Sequence, residues 1–132
     1  MPEITGVNHI ALTVNELDVS EPWYAEVLGL TQVMKIDEPG HKYVVMVHPA
    51  TQLVVGLHAH DANEGEAFKE TRTGLDHLGF QVESRAALEA WKARFDELGV
   101  EHSAITDAPY GGVLVFRDPD NIQLEMFCWP ES

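Results

Sequence analysis

Apolar and polar positions alternate along Val7–Val14, with Ile10, Leu12 and Val14 on one face and His9, Ala11 and Thr13 on the other. Leu75–Val82 repeats the pattern, setting Leu78, Phe80 and Val82 against His77, Gly79 and Gln81. Both stretches predict strands. After each, the apolar period lengthens to that of a helix. The first helix is expected from near Asp18 or Ser20, with Pro22 in its opening turn, to a stop at Gly29. In the second, Ser84 is the N-cap, Leu88, Trp91, Phe95 and Leu98 form the stripe, and Gly99 ends it. Three strands should follow each helix, at about 31–36, 42–47 and 52–58 and at about 101–105, 113–116 and 122–128. Asp118-Pro119-Asp120-Asn121 is the turn into the last of them.

The two halves are therefore one plan written twice. His9 overlies His77 and Trp23 overlies Trp91 at one constant offset, and Leu28-Gly29-Leu30 overlies Leu98-Gly99-Val100 after a slip of two residues. Each half reads β-α-β-β-β, over about 5–60 and 73–129. A polar, acidic linker, 61–72, joins them, with room for one short helix. One helix covers only the back of a four-stranded sheet, so the other face needs a partner. The expected fold is α+β: a single domain of two tandem βαβββ modules whose mixed sheet is cup-shaped. The modules pair either within one chain or by exchange between two, and a homodimer is expected.

Composition narrows the function classes. Of 132 residues, 22 are acidic and 8 basic, a net charge of −14 that repels phosphate backbones and argues against nucleic acid. No stretch is apolar for long enough to cross a membrane. The one cysteine, Cys128, forms no internal bridge and shares the apolar face of its strand with Met126, so a buried thiol in a reducing, cytoplasmic setting is expected. Trp23 and Trp91 read as core or interface residues, and His41, His48 and His102 as solvated ones.

Strand parity selects the candidate chemistry. His9 and His77 lie opposite their apolar stripes, and Glu125 shares a face with Gln123 and Phe127 against Ile122, Leu124 and Met126. If helices cover the apolar faces, two imidazoles and a carboxylate face the cup. That set suits one divalent Fe, Mn, Zn, Ni or Co ion and leaves positions open for a small-molecule substrate. The same faces carry Thr13, Gly56, Gln81 and Phe127 as pocket residues, with Tyr110 in the Tyr110-Gly111-Gly112 loop.

With Asn8-His9-Ile10, Asp76-His77-Leu78 and Arg117-Asp118-Pro119-Asp120-Asn121-Ile122-Gln123-Leu124-Glu125, this plan resembles the vicinal oxygen chelate superfamily across roughly 5–129. That group includes glyoxalase I, extradiol dioxygenases, methylmalonyl-CoA epimerase, fosfomycin-resistance enzymes and bleomycin-binding proteins. The resemblance implies His9, His77 and Glu125 as ligands of a metal that binds vicinal oxygens, in a lyase, isomerase or ring-cleaving dioxygenase. The alternative it offers is a non-catalytic drug- or metabolite-binding protein, as in antibiotic resistance. Its usual fourth ligand falls on Gly56, so either the site has three ligands or His58, two residues on and of the same parity, completes it. The tyrosine of the extradiol enzymes and the threonine of the fosfomycin enzymes are both missing; Ala11 stands at the latter's place. No catalytic base is assigned.

Overall fold

The alternating stretches form strands, and the helical stripes form helices that cover one side of them. The computed structural model describes residues 1–131. In chain order these are β1 (Ile10–Thr13), α1 (Leu17–Leu28), β2 (Thr31–Glu38), β3 (His41–His48), β4 (Leu53–His60), β5 (Leu78–Gln81), α2 (Arg85–Leu98), β6 (Thr106–Ala108), β7 (Gly111–Arg117) and β8 (Gln123–Cys128). The chain divides into two compact units, Met1–Glu66 and a second from Ala67 onward. Each holds one four-stranded mixed sheet, ordered β1-β4-β3-β2 in the first and β5-β8-β7-β6 in the second. The architecture is α+β, two tandem βαβββ modules.

In each unit the first strand lies parallel to the last, Ile10 beside Val55 and Leu78 beside Leu124, while the remaining pairs are antiparallel. The cores follow the expected faces. Leu12, Val14, Val44, Met46, Val55 and Leu57 are buried with Tyr24 and Val27 of α1. Leu114, Phe116, Leu124, Met126 and Cys128 are buried with Leu88 and Phe95 of α2. Phe95 and Phe116 meet at 4.4 Å. Burying such side chains is worth roughly 1.5–3 kcal/mol each. Trp23 and Trp91 are only half-buried; it is Tyr24, next to Trp23, that is fully enclosed. Both helices end where expected, on left-handed glycines, Gly29 (φ 72) and Gly99 (φ 70).

Four expectations need correction. First, α1 starts at Leu17 after Glu16, whose side chain makes no cap bond, so Pro22 lies in the second turn. The start is set by the Val19 and Ser20 amides donating to the Glu16 carbonyl. Second, β6 is not at 101–105. There the Ser103 amide donates to Val115 O at 2.8 Å while the Ser103 hydroxyl accepts from the Val115 amide at 3.0 Å. A side chain thus replaces a ladder carbonyl, leaving an isolated bridge of His102 with Phe116 and delaying β6 to Thr106. Third, β1 and β5 begin one residue after His9 and His77, so each histidine precedes its strand instead of lying within it. Fourth, the segment 61–72 contains no helix and runs as turns and extended chain. Asn63 donates to Asn15 and Asn15 to the Glu66 carbonyl in the first unit, while Phe68 and Glu70 bond to Asp120 and Arg117 in the second.

The turn into β8 is as read. Asp118 Oδ1 accepts from the amides of Asp120 and Ile122, both at 2.8 Å, and Asn121 takes φ 67. Its repeat counterpart Gln52, before β4, takes φ 61.

Candidate metal centre

Asn8 and Asp76 occupy equivalent places before β1 and β5, and each does the same thing to the histidine that follows. His9 Nδ1 meets Asn8 Oδ1 at 2.7 Å, and His77 Nδ1 meets Asp76 Oδ1 at 2.7 Å. Both oxygens are acceptors, so each Nδ1 carries the proton. Nε2 is left with its lone pair outward, the tautomer a metal ligand needs. In the second unit His77 Nε2 faces Glu125 Oε2 at 3.5 Å. Glu125 is there because β8 pairs with β5 in register, Glu125 beside Gly79. A Cβ on Gly79 would stand 4.0 Å from Glu125 Oε1, so the glycine keeps the carboxylate's flank open.

Behind this pair runs a polar chain. Gln123 donates to the Asp76 carbonyl at 3.1 Å and to Asp76 Oδ1 at 3.2 Å, and accepts from Arg117 at 3.0 Å. Arg117 is held in turn by both oxygens of Glu70, whose carboxyl lies below its ordinary range chiefly through that hydrogen bond. Three links thus orient the imidazole of His77. Parity of β8 puts Gln123 beside Glu125, but a strand pattern says nothing of a bond back to Asp76. Nor does it reveal Asn8 and Asp76 as orienting groups; their recurrence before both histidines was the available signal.

In the first unit His58 folds back over Gly56. A Cβ on Gly56 would lie 3.0 Å from His58 Nε2 and 3.6 Å from the Ala11 Cβ. The space of the missing side chain is thus filled by imidazole. The other nitrogen, Nδ1, bonds to His41 Nε2 at 2.8 Å. Burial, then the neighbouring histidines, hold the pKa of His58 below its usual value, so the ring favours the neutral form. His41, expected to be solvated, is half-buried and stacked on Tyr43, His58 and His60. His102 is likewise held, with Nε2 on Asp96 at 2.5 Å and Nδ1 on the Ser103 carbonyl at 2.6 Å.

With the donors and the fold described, the decisive comparison is with family sequence patterns: residues 6–126 match the Glyoxalase/Bleomycin resistance protein/Dioxygenase superfamily. The chain belongs to this superfamily. Among solved structures, the glyoxylase/bleomycin resistance protein/dioxygenase domain from Frankia sp. EAN1pec is 36% identical and superposes with a TM-score of 0.90 over 97% of this chain and 100% of that one. The fold also matches, at 20% identity and a TM-score of 0.71 over 95% of this chain and 90% of that one, a point mutant of the fosfomycin resistance protein FosX of Listeria monocytogenes. That structure was determined with Mn(II) and 1S,2S-dihydroxypropylphosphonic acid. A Bacillus subtilis (strain 168) protein named "Putative ring-cleaving dioxygenase MhqA" is 26% identical over 129 residues, 92% of this chain, which spans only 40% of that protein's length.

In this superfamily member the remaining pocket candidates are distributed as follows. Thr13 is exposed on β1 beside His58, and Gln81 is exposed on β5 beside Phe127. Phe127 carries an aromatic group two residues beyond Glu125: Tyr110 stacks on it at 6.3 Å and Trp129 meets it edge-on at 4.9 Å. Tyr110 itself lies in the two-residue connection of the β6–β7 hairpin, closed by Ala108 opposite Gly111, and is 64% exposed.

Proposed function

We propose that this chain is a divalent-metal-dependent enzyme of the glyoxalase/dioxygenase type, acting on a small oxygen-chelating molecule as a lyase, isomerase or ring-cleaving dioxygenase. His9, His77 and Glu125 are its ligand set. The observation that carries the reading is the matched pair of oriented imidazoles: both histidines have Nδ1 tied 2.7 Å from the preceding side chain, and one turns Nε2 toward Glu125. A histidine with a solvated surface role has no need of that tautomer. Two imidazoles and one carboxylate fit Fe, Mn, Zn, Ni or Co and leave coordination positions for two substrate oxygens.

When bound, such an ion polarises chelated oxygens and stabilises negative charge developing on them. The protein's own groups do the rest. Asp76 and Asn8 fix the ring orientation of His77 and His9 and hold the proton on Nδ1, leaving Nε2 for the ion. Gln123, Arg117 and Glu70 keep Asp76 in place. Phe127, Tyr110 and Trp129 offer apolar surface to the carbon skeleton, with Gly79 and Gln81 alongside. The three-ligand set needs no contribution from His58, whose Nδ1 is already engaged by His41.

Gly56 gives the second reading its support, since the strand that carries a carboxylate or amide in glyoxalase I and the epimerases has no side chain there. On that reading the chain sequesters a drug or metabolite without turning it over. A homodimer in the cytoplasm is part of the proposal in either case.

Elemental analysis of untagged protein purified without chelator tests the first reading. It expects a tightly held transition metal, one equivalent of which is lost in His9→Ala/His77→Ala while the fold survives. A double variant that keeps the full wild-type metal content overturns the ligand set. A wild type that stays empty after metal is added back, yet binds an aromatic antibiotic, moves the assignment to the sequestering protein.

A further inference from the structure

The first unit holds a histidine cluster outside that ligand set. β4 carries His58 and His60 with one residue between them, so both project from the same face, about 6.5–7 Å apart along the strand. Across the antiparallel ladder His41 stands directly opposite His60, and Tyr43 opposite His58. Two imidazoles on one strand and a third from its neighbour place three nitrogens over one patch of sheet. Ligand-capable atoms of His41, His58 and His60 all lie within 4.8 Å of one another.

We propose that His41, His58 and His60 form a second metal site, selective for Zn(II), Ni(II) or Cu(II) over Mg(II) and Ca(II). It shares no residue with the ligand set above. Three imidazoles and no coordinating oxygen or thiolate are donors of intermediate softness, the preference of those ions. Two of the three donors are already in place: His41 Nε2 and His58 Nδ1 face each other at 2.8 Å and share one proton. An ion entering there needs that proton moved, not removed. His41 shifts it from Nε2 to Nδ1, which the Glu38 carboxylate, 3.9 Å away, favours by its negative charge. His58 keeps its own proton on Nε2, over Gly56. Both rings stay neutral, and each offers one lone pair to the ion. Tyr43 stacks on His58 at 4.6 Å and on His41 at 5.1 Å, which limits the swing of both rings. His60 lies parallel to His41 at 4.3 Å and is exposed, so it can turn its nitrogen inward when the ion arrives. Three protein ligands leave a four-coordinate ion one position for water.

The test is titration of untagged, chelator-stripped protein with Co(II) and Zn(II), read by visible absorption and calorimetry. Wild type, His41→Gln/His60→Gln and His9→Ala/His77→Ala are compared, each first shown to keep its circular dichroism. The expected result is that His41→Gln/His60→Gln loses one bound equivalent with its tetrahedral Co(II) bands and keeps the other. His9→Ala/His77→Ala retains the equivalent that the glutamine variant loses. If His41→Gln/His60→Gln binds with wild-type stoichiometry and affinity, the proposal is overturned. Should the double variant unfold, His60→Gln alone, at an exposed residue, must weaken that equivalent at least tenfold; an unchanged affinity overturns the proposal. Failure of the His9–His77–Glu125 reading shows separately, as metal retained by the alanine variant outside the cluster.

Discussion

A single hydrogen bond decides which nitrogen of a histidine is available, and this chain makes that choice twice with different chemistry. Asp76→Ala removes the acceptor on His77 Nδ1 and should lower affinity for the ion proposed at His77 and Glu125 about 10–100-fold. Because Asp76 is exposed, the melting temperature without metal should hardly move; calorimetric titration and a thermal scan check both halves of this statement. Asn8→Ala should act in the same direction and more weakly, since a neutral amide does less for its partner. His102 makes a different kind of prediction. Its hydrogen bond to Asp96, then that to the Ser103 carbonyl, raises its pKa above 6.5. The folded chain therefore binds this proton more tightly than the unfolded one. The stabilisation is fully present below about pH 6.5 and is lost as pH rises through the folded value. Denaturant titrations of His102→Gln and wild type should differ more in mild acid than in alkali; an equal gap at both would refute the link. Of these residues His9, His77 and Glu125 were singled out as candidates by parity and repetition. Asn8, Asp76 and His41 were not, because their roles depend on side-chain torsions that no periodicity records.

Elements were easiest to read where one residue type has one conformational use. Gly29 and Gly99 stop helices at the expected places, and Ser84 accepts from the Ala87 amide at 3.1 Å. Ser84→Ala should cost about 1 kcal/mol, measured by urea unfolding. β6 was misplaced because Ser103 has a hydroxyl that can take the part of a backbone carbonyl, a competition invisible in a hydrophobic pattern. Gly111 sets the hairpin that follows. With φ 150, a Cβ there would fall 2.2 Å from the Cys128 carbonyl and 2.8 Å from Phe127. Gly111→Ala should therefore cost about 1–3 kcal/mol and disturb the Tyr110–Phe127 stack, visible as a lower melting temperature and altered tyrosine fluorescence. The same substitution at Gly29, where a Cβ meets nothing within 4 Å, carries only the cost of its left-handed backbone.

For the whole molecule, the internal repeat was the most informative property of the sequence. It foretold two modules, their shared strand order and the pairing of first strand with last. What it could not foretell is how the side chains group: His41, His58 and His60 gather on the first sheet, while His77 meets Glu125 beside the second. If one ion draws on His9 as well as on His77 and Glu125, metal should raise the melting temperature by mass action. In a His41→Gln/His60→Gln background, His9→Ala and His77→Ala should each remove that rise.

Parallel pairing of first and last strands has a consequence during synthesis. Ile10 has no neighbour until Val55 is made, and Leu78 none until Leu124. The first unit is thus ready to close while the ribosome is still translating the second. The second closes on the strand that also delivers Glu125. A chain interrupted before that strand holds His77 with no carboxylate and β5 with no neighbour, so a nascent protein gains its proposed ion only once the second module is complete.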